Sequence, residues 1–257
     1  MPFSLPRILG RVRNRDAEAT HPPVFQAPPL TADLIAAIKL ISPQLSLGQG
    51  EASRSQWAQE QNRTCWGEYE ALQPFFSWMK TPKKILEIGP GLGRSAVFFT
   101  KQCGWQESRL DLFDATGNST KYKQKYYDAA KEEMQNYFCG NLKMLEFVLQ
   151  YNQVANYRLF DAHQISLGQL PGPYDLIYSF YSLGFHWSLE RFLGDLLPLM
   201  HETTVGVFTV KLDFRGFPAL RNLSCRVVEW KQNSRKRLGM LLMSKAALPE
   251  LGSPLRF

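Results

Sequence analysis

The chain has 257 residues, 44% of them apolar and 13% aromatic, enough for one large core or for one domain with an added N-terminal segment. The second division is expected. No run approaches the roughly 18 consecutive apolar residues that a membrane-spanning helix needs. The first twenty residues are basic, hold no apolar stretch of signal-peptide length and include Asp16 and Glu18, so a cytoplasmic protein is expected. Four cysteines lie far apart with no C-x-x-C pair, which signals neither a zinc site nor a redox motif, and no metal is expected. The net charge of +7 is uneven: between Lys211 and Lys245 nine Lys and Arg residues stand against Asp213 and Glu229, so this stretch alone carries +7. Such a patch is either a solvated face or a surface for an anionic partner, whether a phosphorylated small molecule, an acidic membrane surface or RNA.

Residues 1–30 are rich in proline, which blocks both helix and central strand, and an extended arm is expected there. Thr31 stands as N-cap ahead of "ADLIAAIKLI", where Leu34, Ile35, Ile38 and Ile41 recur at helical spacing. "QWAQEQNRTCWGEYEALQPFFSWM" reads as helical pieces bearing many aromatics, and residues 31–82 together are expected to form an N-terminal helical lid. From Lys83 onward strands and helices alternate. "KILEIG" is a strand, 94–102 a helix, "SRLDLFDA" a second strand and "NSTKYKQKYYDAAKEEMQNYF" a long helix. "ANYRLFDA" is a third strand, "YDLIYSFYSLGF" contains a fourth, "SLERFLGDLLPLM" is an amphipathic helix and "TTVGVFTVKL" is a fifth strand. This alternation implies parallel βαβ units. "CRVVEW" and "RLGMLLMS" are joined by "KQNSRK" with no room for a helix, so they must pair antiparallel. The expected fold over 83–257 is a Rossmann-like α/β domain: a doubly wound, mostly parallel seven-stranded sheet ending in an antiparallel hairpin.

The turn after the first of these strands, "KKILEIGPGLGRSAVFF", is where an open α/β sheet cradles its ligand. A dinucleotide fingerprint needs G-x-G-x-x-G, and after Gly89 and Gly91 the third position is Arg94. A P-loop also fails, because no G-K-S or G-K-T closes the turn. Glu87, two residues before Gly89, would repel a pyrophosphate and welcome a cation. Asp114 ends the second strand, 25 residues beyond Gly89, where an acid commonly accepts from ribose hydroxyls. An adenosine with positive charge and no phosphate suits both acids, and S-adenosylmethionine is that molecule.

"ILEIGPGLG" followed by "LDLFDATG" resembles the first two motifs of the class I S-adenosylmethionine-dependent methyltransferases, and the terminal hairpin resembles the reversed last strand of that fold. The resemblance spans about residues 83 to 245. It implies that Glu87, Gly89, Gly91 and Gly93 line the methionine and ribose part of the cofactor and that Asp114 holds the ribose. It also implies that Asp161, in "LFDAHQ", lies near the adenine amino group; a loop or helix-capping role is the alternative. "YDLIYSFYSLGFHW" is similar to the fourth-strand segment of bacterial methyltransferases, including some assigned to sugars.

Methyl transfer from a sulfonium is an in-line displacement, so proximity and alignment do most of the work and a base is needed only if the acceptor loses a proton. His186 follows the fourth strand, where the methyl should point, and its unperturbed pKa of about 6.5 suits a base for a hydroxyl. Its alternative is a loop histidine bonding backbone ahead of Ser188. Tyr181 and Trp187 are expected as walls of the acceptor pocket, and Trp66 and Tyr69 as lid aromatics over the cofactor. His163 is assigned to the adenine side without a catalytic role. The leading expectation is O-methylation of a small hydroxylated metabolite, such as a sugar or glycan intermediate. An RNA methyltransferase is the alternative, favoured by the pI of about 9.2 but lacking both the N/D-P-P-Y/F run and an RNA-binding module. A non-catalytic partner subunit is a third, against which the intact Glu87, Asp114 and glycines argue.

Overall fold

The computed structural model describes residues 21–42, 45–76, 79–115, 140–184, 187–211, 218–232 and 237–248, with the backbone of 7–8. The helix expected over 118–138 and His186 lie outside the described residues. The strands are β1 (Arg7–Ile8), β2 (Lys84–Ile88), β3 (Arg109–Asp114), β4 (Tyr157–Asp161), β5 (Tyr174–Ser179), β6 (Met200–Lys211), β7 (Ser224–Gln232) and β8 (Arg237–Ser244). They form one sheet in the order β1-β7-β8-β6-β5-β2-β3-β4. Strands β2 to β6 pair in parallel, and β8 runs antiparallel to both β6 and β7. The expected seven strands and terminal hairpin are therefore present. A two-residue piece of the arm, β1, adds an eighth by pairing parallel to β7.

Helices α1 (Ala32–Ile41), α2 (Glu51–Phe76), α3 (Arg94–Gln102) and α4 (Leu142–Tyr151) share one core with Leu110, Leu112, Val205 and Val207. The alternate strand residues Leu86, Ile88, Phe113 and Ile177 face the other way, onto α5 (Leu189–Leu196) through its buried Leu189, Phe192, Leu193 and Leu196. Period-two strands and a period-3.6 helix thus divide the apolar residues between two layers. Burial of Phe98 and Phe99 of α3 contributes ~1.5–3 kcal/mol each to seating that helix beside the glycine turn.

Two elements differ in detail from the sequence expectation. The aromatic "helical pieces" are one continuous helix, α2, with Pro74 in its last turn. Its buried stripe includes two polar residues, Asn62 and Glu68. Asn62 explains how a proline-rich segment packs against a core. Its Oδ1 accepts the N–H groups of Val24 and Phe25 at 2.8 Å, and its Nδ2 donates to the Phe25 carbonyl at 2.8 Å. Asn152, after α4, treats Gln26 in the same way at 2.9 and 2.8 Å. Two side-chain amides stand in for a neighbouring strand, so Phe25, Ala27 and Leu30 are buried while the backbone around Val24–Gln26 stays hydrogen-bonded.

Candidate active site

Strand β2 pairs with β3 on one side and β5 on the other, so the chain winds in opposite directions from this point, the switch point beyond whose strand ends open α/β sheets hold their ligands. The glycine turn leaves β2 here. Gly89, Gly91 and Gly93 all have left-handed φ, at 69°, 59° and 76°. A side chain on Gly89 would collide with Ser182, and a Cβ on Gly93 would stand 2.7 Å from Leu145. The turn is fastened by Gly89 N–H to the Phe113 carbonyl at 2.8 Å and Gly93 N–H to Pro90 at 2.9 Å.

Glu87 sits at the base of the turn, only 1% exposed, between Leu112 of β3 and Tyr178 of β5. Its carboxylate accepts from the Ser95 hydroxyl and, at 2.9 Å, from Tyr178. Burial pushes its pKa up to about 7, against the lowering pull of those two hydroxyls and of Arg94. Asp114 stands directly against the turn: Oδ2 accepts Gly91 N–H at 3.1 Å and Oδ1 accepts Ala115 N–H at 2.8 Å. Burial raises this carboxyl to about 6, opposed by those two N–H groups and helped by Asp161. Asp161 is level with Asp114 in the β3–β4 register, and its Oδ1 accepts the His163 N–H at 2.9 Å. It therefore caps its own loop at the same carboxyl end of the sheet as Asp114. The structure brings together Glu87, the three glycines, Asp114 and Asp161.

The loop after β5 closes the other side. Ser179 donates to the Ile88 carbonyl at 2.7 Å and accepts Leu183 N–H at 2.8 Å, which holds Ser182 over Gly89. Tyr181 has φ 63°, a conformation that a bulky residue adopts only when its surroundings impose it. Its ring lies 5.7 Å from the Arg94 guanidinium. Trp187 is buried in the α5 layer, its N–H donating to the Ser182 carbonyl at 3.1 Å. Trp66 and Tyr69 make ring contacts with Phe98, and Trp66 stacks on His21 at 4.1 Å, so both rings pack in the α2–α3 seam.

Four residues at the site were missed by sequence reasoning. Ser95 and Tyr178 hold Glu87. Glu68 of α2 forks the Arg94 guanidinium at 2.6 and 2.8 Å. Ile41, at the end of α1, reaches to 3.5 Å from where a Cβ of Gly91 would be. Only Glu68 left a mark in the sequence, as an acid within the apolar stripe of a helix. Among the described charged groups at the turn, Glu87, Asp114 and Asp161 are acids, while the cation Arg94 is spent on Glu68.

No family model matches the sequence, and no curated protein matches it. Solved structures of similar fold include an rRNA methylase from Streptococcus thermophilus, 9% identical over 70% of this chain and 96% of that one, with a TM-score of 0.45. A precorrin-6y C5,15-methyltransferase from Geobacter metallireducens GS-15 is 14% identical over 69% and 88% of the two chains, with a TM-score of 0.42. A SAM-dependent methyltransferase from Aquifex aeolicus is 16% identical over 68% and 88%, with a TM-score of 0.43. Cofactor and acceptor are properties of the side chains at a site, which such distant chains need not share.

Proposed function

From a sheet with the strand order and reversed strand of the class I methyltransferase fold, and a glycine turn lined by carboxylates, we propose that this protein is an S-adenosylmethionine-dependent methyltransferase acting on a hydroxyl of a small metabolite. The observation that carries the cofactor assignment is Asp114 bonded to Gly91 N–H above a buried Glu87 that is held by hydroxyls alone. This donor set fits a cationic adenosine ligand and opposes a pyrophosphate. The bound cofactor would supply a methyl group on a positively charged sulfur. For their part, the glycines admit the ligand close to backbone, Asp114 keeps lone pairs for the ribose hydroxyls while bonded to two N–H groups, and Glu87 favours positive charge above it. Asp161 is assigned to the adenine side, and Tyr181 and Trp187 to the acceptor side.

His186 is the proposed base. The described residues on either side of it, Gly184 and Trp187, are hydrogen-bonded to each other, and Trp187 N–H donates to Ser182, which abuts Gly89. A sugar or other hydroxylated metabolite is the preferred acceptor, since O-methylation needs a base where the acceptor must lose its proton. The test is transfer of labelled methyl to a panel of sugars and phosphorylated hydroxy-metabolites, with total RNA in parallel. Uptake by a small hydroxyl compound, reduced about 10²–10⁴-fold in His186→Ala with cofactor affinity intact, is expected. Uptake by RNA alone would replace the acceptor assignment.

A further inference from the structure

Arg94 occupies the place where a dinucleotide-binding turn has its third glycine, and it puts a guanidinium directly after Gly93. An uncompensated guanidinium there would oppose the acids and attract phosphate. Glu68 prevents this. It comes from α2, its side chain is 0% exposed, and both of its oxygens engage the Arg94 fork. Cys65 Sγ, 3.3 Å from Arg94 Nη1, and the Tyr181 ring complete the cluster. Burial works against the charged guanidinium, yet Glu68 and Cys65 hold its pKa well above the usual arginine value. The pair is felt at the base of the turn. Beyond the dominant effect of burial on Glu87, Arg94 draws that carboxyl down and Glu68 pushes it up.

We propose that Glu68 is a specificity-determining residue for the ligand of the glycine turn: by cancelling the charge of Arg94 it keeps the turn negative, selecting a cationic adenosine over a neutral or phosphate-bearing one. This rests on the cofactor assignment above. A buried ion pair that only pinned α2 to α3 could be replaced by apolar or neutral residues and would leave no signature in ligand charge. The two roles therefore separate experimentally.

S-adenosylmethionine and S-adenosylhomocysteine differ by one methyl and one positive charge, so the ratio of their Kd values reads the sign of the site. Glu68→Gln is expected to lower the preference for the sulfonium about three- to tenfold and to let ADP compete. The double variant Glu68→Gln/Arg94→Gln, neutral at both positions, should return to within about twofold of the wild-type ratio. A folded Glu68→Gln protein with the wild-type ratio and no ADP competition overturns the proposal, as does a double variant that keeps the single variant's shift. If the buried unpaired arginine prevents Glu68→Gln from folding, Arg94→Gln is compared with the double variant in alkaline buffer. The uncancelled Glu68 should then raise the sulfonium preference above that of the double variant, and equal ratios overturn the proposal. Wild-type protein that binds neither ligand would instead remove the cofactor assignment.

Discussion

Glu87 in β2 and Asp111 in β3 are carboxylates of neighbouring strands, 1% and 0% exposed, and the protein treats them in opposite ways. Asp111 takes the Arg158 fork at 2.8 and 2.6 Å and the Tyr174 hydroxyl at 2.8 Å, with Arg109 Nε 3.7 Å away. Its charge is compensated on the spot, and its work is to tie β3, β4 and β5 together. Glu87 has two hydroxyls and no guanidinium fork, and burial holds its carboxyl near 7. Burying a carboxylate without a cation is costly. The fold gives Asp111 a guanidinium fork one strand away, whereas Glu87, with the nearby Arg94 engaged by Glu68, takes only hydroxyls; the proposed sulfonium would add the positive charge it lacks.

The comparison breaks first at Asp111. Asp111→Ala strips the Arg158 fork and leaves the buried Tyr174 hydroxyl without its acceptor, so chemical denaturation should show a loss of about 2–4 kcal/mol. Cofactor affinity of the folded protein should be unchanged. A neutral effect on stability would mean that this carboxylate is not structural after all. Asp114→Ala should do the reverse, keeping the fold and weakening binding of S-adenosylhomocysteine by about 1.5–3 kcal/mol in calorimetry.

Glu87→Gln sharpens the contrast through pH. A carboxyl raised from 4.5 to about 7 binds its proton more tightly in the folded chain, so its contribution is fully present below about 4.5 and is lost as pH rises through about 7. The Gln variant cannot lose it. It should therefore exceed the wild type in stability in alkaline buffer by on the order of 3 kcal/mol, with the difference vanishing in acid. A melting series across pH checks this. The smallest effect is a proton count: a bound cation lowers the Glu87 pKa, so binding the sulfonium at neutral pH should release up to about half a proton, visible as a buffer-dependent enthalpy and absent in Glu87→Gln.

The glycine turn, its two acids and the parallel-then-reversed sheet were legible because each rests on short local pattern: glycines at left-handed φ, alternation of strand and helix, and a linker too short for a crossover. Partners drawn from distant segments were not. Nothing near Glu87 in sequence announces Tyr178, 91 residues away, and Arg94 was noticed only as a missing glycine, not as the partner of Glu68. The same holds for residues 21–30, whose prolines show what the backbone cannot do but not that Asn62 and Asn152 would satisfy it. Trp66 and Tyr69 show the limit of composition: aromatics near a site pack wherever neighbouring rings lie, and here these are Phe98 and His21.

The measurement closest to the central claim is competition calorimetry on the wild-type protein with S-adenosylmethionine, S-adenosylhomocysteine, NAD and ATP. If the glycine turn is kept negative for a cationic adenosine, the first two bind on the micromolar scale, and neither NAD nor ATP displaces them because Glu87 opposes their phosphates. Tight NAD binding that displaces S-adenosylhomocysteine would contradict the account, because a pyrophosphate would then sit on the turn that Glu87 is proposed to keep for positive charge.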